Sequence, residues 1–155
     1  MPTDPQIVDL EDEHRRLLSS VLDALIPPSE DGTLPGAGAL GLDRLICQRA
    51  EDFLPVLRQA IDALQTRVAA RKAGDFSALS ATEQHALLEA LAGEHPAFLP
   101  GLIFQTFSNY YQHPRVLVAL GLEVGPPYPR GRDLEAGDLG LLEPVRQRGS
   151  VCREC

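Results

Sequence analysis

Several short clusters in this sequence hold residue types that could do chemistry. Glu11-Asp-Glu-His14 has the Glu-x-x-His spacing that sets two ligands on one helix face, as a di-iron carboxylate bundle requires. Such a site also needs a second pair and two further carboxylates from other helices. His85 is followed by Glu89 instead, and His95 lies outside a helix interior. The cluster therefore reads as a solvated acidic first turn, where negative charge complements the helix dipole. Cys152-Arg-Glu-Cys155 is a C-x-x-C pair, which holds metal or cycles redox when a second pair or a helix N-terminus supports it. The sequence supplies neither, and the pair reads as ordinary thiols on a terminal tail. His113 and Arg115 directly follow Tyr110 and Tyr111, and together they could bind an anion or a partner's carboxylate. The plainer reading is of core tyrosines with a hydroxyl at the edge. No P-loop, nucleophile elbow, Gly-x-Gly-x-x-Gly or His-Glu-x-x-His occurs. Gly36-Ala-Gly38 has no strand before it, so it is no dinucleotide fingerprint. No catalytic, cofactor-binding or metal-binding residue is assigned.

The elements that must position these groups are helical. Of the eight aromatic residues, five fall between Phe98 and Tyr111. At about 100° per residue, Leu99, Ile103, Phe104, Phe107, Tyr110 and Tyr111 share one wide arc opposite Gln105, Ser108 and Asn109. This predicts a central helix with Phe104, Phe107 and Tyr110 buried, ending near Tyr111 because the residue before Pro114 is forced out of helix. Upstream, Leu10, Leu17, Leu18, Val21, Leu22 and Leu25 predict a helix from about Asp9 to Ile26, stopped by Pro27-Pro28. Residues 29 to 41 read as a Gly/Pro loop. A short helix from Leu42 to about Arg49 has Cys47 on its apolar side as a small core residue. Phe53, Leu57, Ile61, Leu64 and Val68 mark a long helix closed by Gly74. Ser80-Ala-Thr-Glu83 has capping-box spacing, so a helix should start at Ala81 and stop at Gly93. Pro114 opens a short helix through Leu120, punctuated by Gly121.

From Leu122 the Pro/Gly content rises, and 122–155 reads as a long extended arm, either part of the same domain or docked on a partner. Its anchors are Tyr128, Leu141 and Leu142. The expected architecture is thus all-α: a single-domain helical bundle over residues 1–121 around the aromatic helix, with a C-terminal arm. A chain of 155 residues with 44% hydrophobic content is long enough for one packed core. A net charge of −8 with scattered arginines disfavours nucleic acid. Cys47, Cys152 and Cys155 are too few for a disulfide framework. Met-Pro-Thr-Asp-Pro-Gln lacks a basic n-region and an apolar h-region, and no later run approaches a membrane span. Cytoplasmic location is the expectation.

Leu22-Asp-Ala-Leu-Ile-Pro-Pro28, Leu34-Pro-Gly-Ala-Gly38, Phe76-Ser-Ala-Leu-Ser-Ala-Thr-Glu-Gln84 with Leu87-Leu88, and Phe104 to Pro114 occur in an order and spacing that resembles the gluconate 2-dehydrogenase subunit 3 family. The resemblance implies a small, cofactor-free, largely helical subunit of a flavin-dependent sugar or alcohol dehydrogenase. FAD and the catalytic residues would lie in a large partner chain similar to the glucose-methanol-choline (GMC) oxidoreductases. Many members begin with a twin-arginine export signal, whereas Met1 here leads almost directly into the first helix. The function expected is a non-catalytic subunit that stabilises such a dehydrogenase, with Tyr111, His113, Arg115, Tyr128, Leu141 and Leu142 as partner-binding residues. The alternative is a standalone helical interaction or chaperone-like module that helps a redox enzyme fold and then leaves.

Overall fold

A computed structural model describes residues 10–71, 74–125 and 137–148. Among these residues the regular structure is entirely α- and 3₁₀-helical, and the protein is all-α. The chain divides into two compact units after Val124.

The first unit holds α1 (Asp12–Leu25), α2 (Leu42–Arg49), α3 (Leu54–Ala69), α4 (Ala81–Glu94), α5 (Phe98–Tyr110) and α6 (Pro114–Ala119). Leu18, Val21 and Leu22 form the buried stripe of α1, at the spacing that brings successive turns onto one face. Helix α1 begins three residues later than Asp9 because Glu11, extended at φ −62° and ψ 152°, is its N-cap. It ends at Leu25 because Ile26 precedes Pro27 and takes up β-region backbone. Leu54, Leu57, Ile61, Leu64 and Val68 line α3 in the core. At α4 the capping box is complete: the Glu83 amide donates to Ser80 Oγ (3.4 Å) and the Ser80 amide to Glu83 Oε2 (2.9 Å). The Ser80 hydroxyl also donates to Glu83 Oε2 at 2.6 Å, and this bond first, with that from the Ser80 amide, holds the Glu83 carboxyl below its usual range. The last helix of the unit stops at Gly121, whose φ of +73° suits glycine alone, and Leu122 N–H closes back on the Leu117 carbonyl at 2.8 Å.

Helix α5 packs against α2, α3 and α4, while α1 packs against α2 and α3. The buried residues of α5 are Phe98, Leu102, Thr106, Asn109 and Tyr110. This corrects the expected orientation: Phe104 and Phe107 face outward, as do Ile103 and Tyr111, and Asn109 faces inward. The physical reason lies in what meets the helix. Gly101 has no side chain, and the Phe53 ring occupies the space a Cβ would need. Thr106 Oγ1 donates to the Leu102 carbonyl at 2.6 Å. Asn109 Nδ2 donates to the Gln105 carbonyl at 2.7 Å, and its Oδ1 accepts from Arg49 of α2 at 3.1 Å. With Thr106 and Asn109 hydrogen-bonded, the cost of desolvating this side is offset.

The loop between α1 and α2 is built rather than loose. Asp31 accepts from the Ser29 and Thr33 hydroxyls, Leu34 N–H donates to Ser29 Oγ at 2.8 Å, and Gly38 N–H donates to Asp23 Oδ1 of α1 at 2.8 Å. A Cβ at Gly38 would overlap the Ser19 carbonyl and the Asp23 carboxylate, which is why this close approach takes glycine.

In the second unit, a 3₁₀ turn at Leu139–Leu142 runs into α7 (Glu143–Gln147). Asp138 caps the turn by accepting from Gly140 N–H at 2.9 Å, and Pro144 sits in the first turn of α7, where its missing N–H costs little. Residues 126–136 and 149–155 of the arm, including Tyr128, Cys152 and Cys155, lie outside the described residues.

Candidate functional site

The residues best placed to meet another molecule lie along the outer side of α5 and on the turn that follows it. Ile103, Phe107 and Tyr111 stand four residues apart, and Phe104 sits beside Phe107 at i+3, so the set forms one stripe. Their exposures are 39%, 41% and 50%, with Phe104 at 67%. For large apolar side chains in one row, that is a surface patch rather than core edge. The rings are arranged in order: Phe107 and Tyr111 lie 6.1 Å apart with a 38° tilt, and Tyr110 meets Tyr111 edge-on at 5.2 Å and 85°. Tyr110 is the hinge between inside and outside. Its ring is buried, its hydroxyl donates to the Pro35 carbonyl at 2.8 Å, and burial, with Tyr111 second, pushes its phenol pKa up.

Tyr111 and His113 lie in the turn between α5 and α6, and Arg115 in the first turn of α6. His113 caps α6, its Nδ1 accepting from Arg115 N–H at 3.2 Å. That bond puts the proton of the neutral ring on Nε2. His113 is therefore a structural cap first and half-buried, while the Arg115 side chain is exposed. Beyond the buried Val116, the residues Val118, Leu120, Leu122 and Val124 are exposed as well. Leu141 and Leu142 belong to the other unit, where both are exposed. Sequence reasoning missed Ile103, Phe104 and Phe107 as surface residues. No local signal marked them, because the partners that turn Gly101 and Asn109 inward, Phe53 and Arg49, are distant in the chain.

Among the described residues, His14, Cys47 and the glycines at 36 and 38 serve the fold. His14 Nε2 lies 3.2 Å from Asp62 Oδ1, tying α1 to α3, while Glu11 is the helix cap. Among the described residues no three His, Cys, Asp or Glu side chains converge to hold a metal ion. Cys47 is buried, and burial, reinforced by Asp43, pushes its thiol pKa up, which disfavours the reactive thiolate. The glycines at 36 and 38 are no phosphate cradle, because the Asp23 carboxylate already takes the Gly38 amide and would repel a pyrophosphate. Among the described residues no helix is long and apolar enough to cross a membrane.

The sequence pattern of the family described as gluconate 2-dehydrogenase subunit 3 matches residues 12–120, which run from the first residue of α1 to just past α6. The chain belongs to this family. No curated protein and no solved structure matches it. The match covers the whole helical body, so the α5 stripe and the Tyr111–Arg115 turn are parts of the family domain, whereas Leu141 and Leu142 lie beyond it.

Proposed function

We propose that this chain is a non-catalytic subunit of an FAD-dependent, GMC-type dehydrogenase that oxidises sugars or other alcohols, and that it stabilises or helps assemble the large flavoprotein chain. The observation that carries this reading is the family match across the entire helical body, to a family whose description makes its members subunits of a dehydrogenase. Two features of the molecule agree with it. Four exposed large apolar side chains of the body, three of them aromatic, form one stripe on α5, a composition enriched in protein interfaces. The Gly36–Gly38 turn is closed by the Asp23 carboxylate, which agrees with a flavin held by the partner chain. Tyr111, His113 and Arg115 are proposed as partner contacts on the body, and Tyr128, Leu141 and Leu142 as contacts from the arm.

Co-expression of the full-length chain with a flavin oxidoreductase chain from the same genome tests the reading. A stable complex whose visible flavin spectrum belongs to the large chain, with a higher yield of that chain than when it is made alone, is the expected result. Separate elution on gel filtration and unchanged yield would refute it. If the yield rises but no complex persists, the chain acts as a transient assembly factor.

A further inference from the structure

Resting on that reading, we infer that Ile103, Phe104, Phe107 and Tyr111 form the dry centre of the contact with the dehydrogenase's flavoprotein chain, with Arg115 at its polar edge. Size, composition and charge support this assignment. With about 150–250 Å² per aromatic side chain, the exposed fractions of Phe104, Phe107 and Tyr111 leave on the order of 300 Å² of ring surface in water. A standard interface takes about 800 Å² from each partner, with an apolar core inside a polar rim, so the stripe is the right size for the core and too small to be the whole contact. Charged residues are depleted at such cores, and the full length of α5 carries none although the chain as a whole stands at −8.

Charge also decides which molecule sits there. Between Glu94 and Glu123 the sequence contains no acidic residue, and Arg115 is its one Lys or Arg. The Arg115 side chain is exposed, and among the described residues it forms no ion pair. A second copy docked by the same face would offer Arg115 no carboxylate from either α5 or α6, and would join two chains of net charge −8. A different chain, with an apolar patch flanked by a carboxylate, satisfies both the stripe and Arg115. On the subunit reading, that chain is the flavoprotein and not this chain's own copy.

The test uses the full-length chain, a flavin-dependent dehydrogenase chain from the same genome as the probe, and the variants Phe104→Asp and, as a milder change, Phe104→Gln. Both should keep the wild-type circular dichroism spectrum and melting temperature, since the side chain stands in solvent. Affinity for the flavoprotein should fall about 30-fold or more for Phe104→Asp, the size of a hot-spot loss, and less for Phe104→Gln. Unchanged affinity for both variants, with the wild-type complex intact, overturns the face and leaves the subunit reading standing. Failure of the wild-type chain to bind overturns both. A wild-type dimer by light scattering that Phe104→Asp converts to monomer overturns the choice of occupant.

Discussion

The two sides of α5 do not divide by residue type, because aromatic rings are buried on one and exposed on the other. The inner side carries a glycine, a threonine and an asparagine among its apolar residues, yet Thr106 and Asn109 are buried. The outer side carries Ile103, Phe104, Phe107 and Tyr111, and it meets water. A helix that is apolar nearly all round gains similar transfer free energy whichever way it turns, so shape and hydrogen bonding settle its rotation. Gly101 admits the Phe53 ring, and Asn109 accepts from Arg49. Neither is available to the side that bears Phe104, Phe107 and Tyr111. The lesson is that a surplus of apolar surface on a helix can be kept for another molecule while modest, well-satisfied residues make the core.

This contrast can be broken by substitution. Phe98→Ala, on the inner side, should cost about 3–5 kcal/mol, whereas Phe104→Ala should stay within about 0.5 kcal/mol of wild type. Equal losses in chemical denaturation would mean that the two sides do not differ. Phe107, half-covered by its neighbours, should fall between them, at about 1–2 kcal/mol for Phe107→Ala. Tyr110→Phe removes the bond to the Pro35 carbonyl and should cost about 1 kcal/mol. The same residue predicts a response to alkali. Its folded pKa lies above 10.0, so the folded state holds its proton longer than the unfolded chain does, and the fold loses stability as pH rises from 10.0 through the folded value. Below 10.0 this contribution is constant. Tyr110→Phe should remove one late-ionising phenol from a spectrophotometric titration and flatten that part of the stability profile. The smallest effect is expected at Thr106→Val, which trades a hydroxyl bonded only to its own helix for a methyl of similar shape. A change beyond about 1 kcal/mol would show that the hydroxyl has a further role, since losing a typical hydrogen bond costs about that much.

Where backbone chemistry is local, the fold was legible. Pro27-Pro28, the Ser80–Glu83 box and Gly121 each act within a few residues, and the helices they bound fall where the pattern put them. The rotation of α5 was not legible, because its determinants are distant: Arg49 and Asn109 are 60 residues apart, and Pro35 and Tyr110 are 75 apart. Periodicity alone could only assume that the most apolar arc turns inward. The site was read in part for the same reason. Tyr111, His113 and Arg115 cluster because they fall within five residues around one proline, whereas Phe104 and Phe107 could be recognised as surface only once their helix had been oriented. The loop from Ser29 to Gly41 looked irregular because its order comes from side chains, with Ser29, Asp31 and Thr33 bonded among themselves. Those bonds, Ser29's first, bring the Asp31 carboxyl down to about 2.

The bond from Tyr110 to Pro35 gives the order in which a growing chain can finish this loop. As the chain leaves the ribosome, Asp23, Ser29, Leu34 and Gly38 emerge together, and their mutual ties can close early. The Pro35 carbonyl then waits until α5 has been synthesised and has found its place against α2, α3 and α4. A nascent chain cut before Phe98 therefore carries a half-fastened clasp, and amide exchange around Pro35 should remain fast until the aromatic helix arrives to shut it.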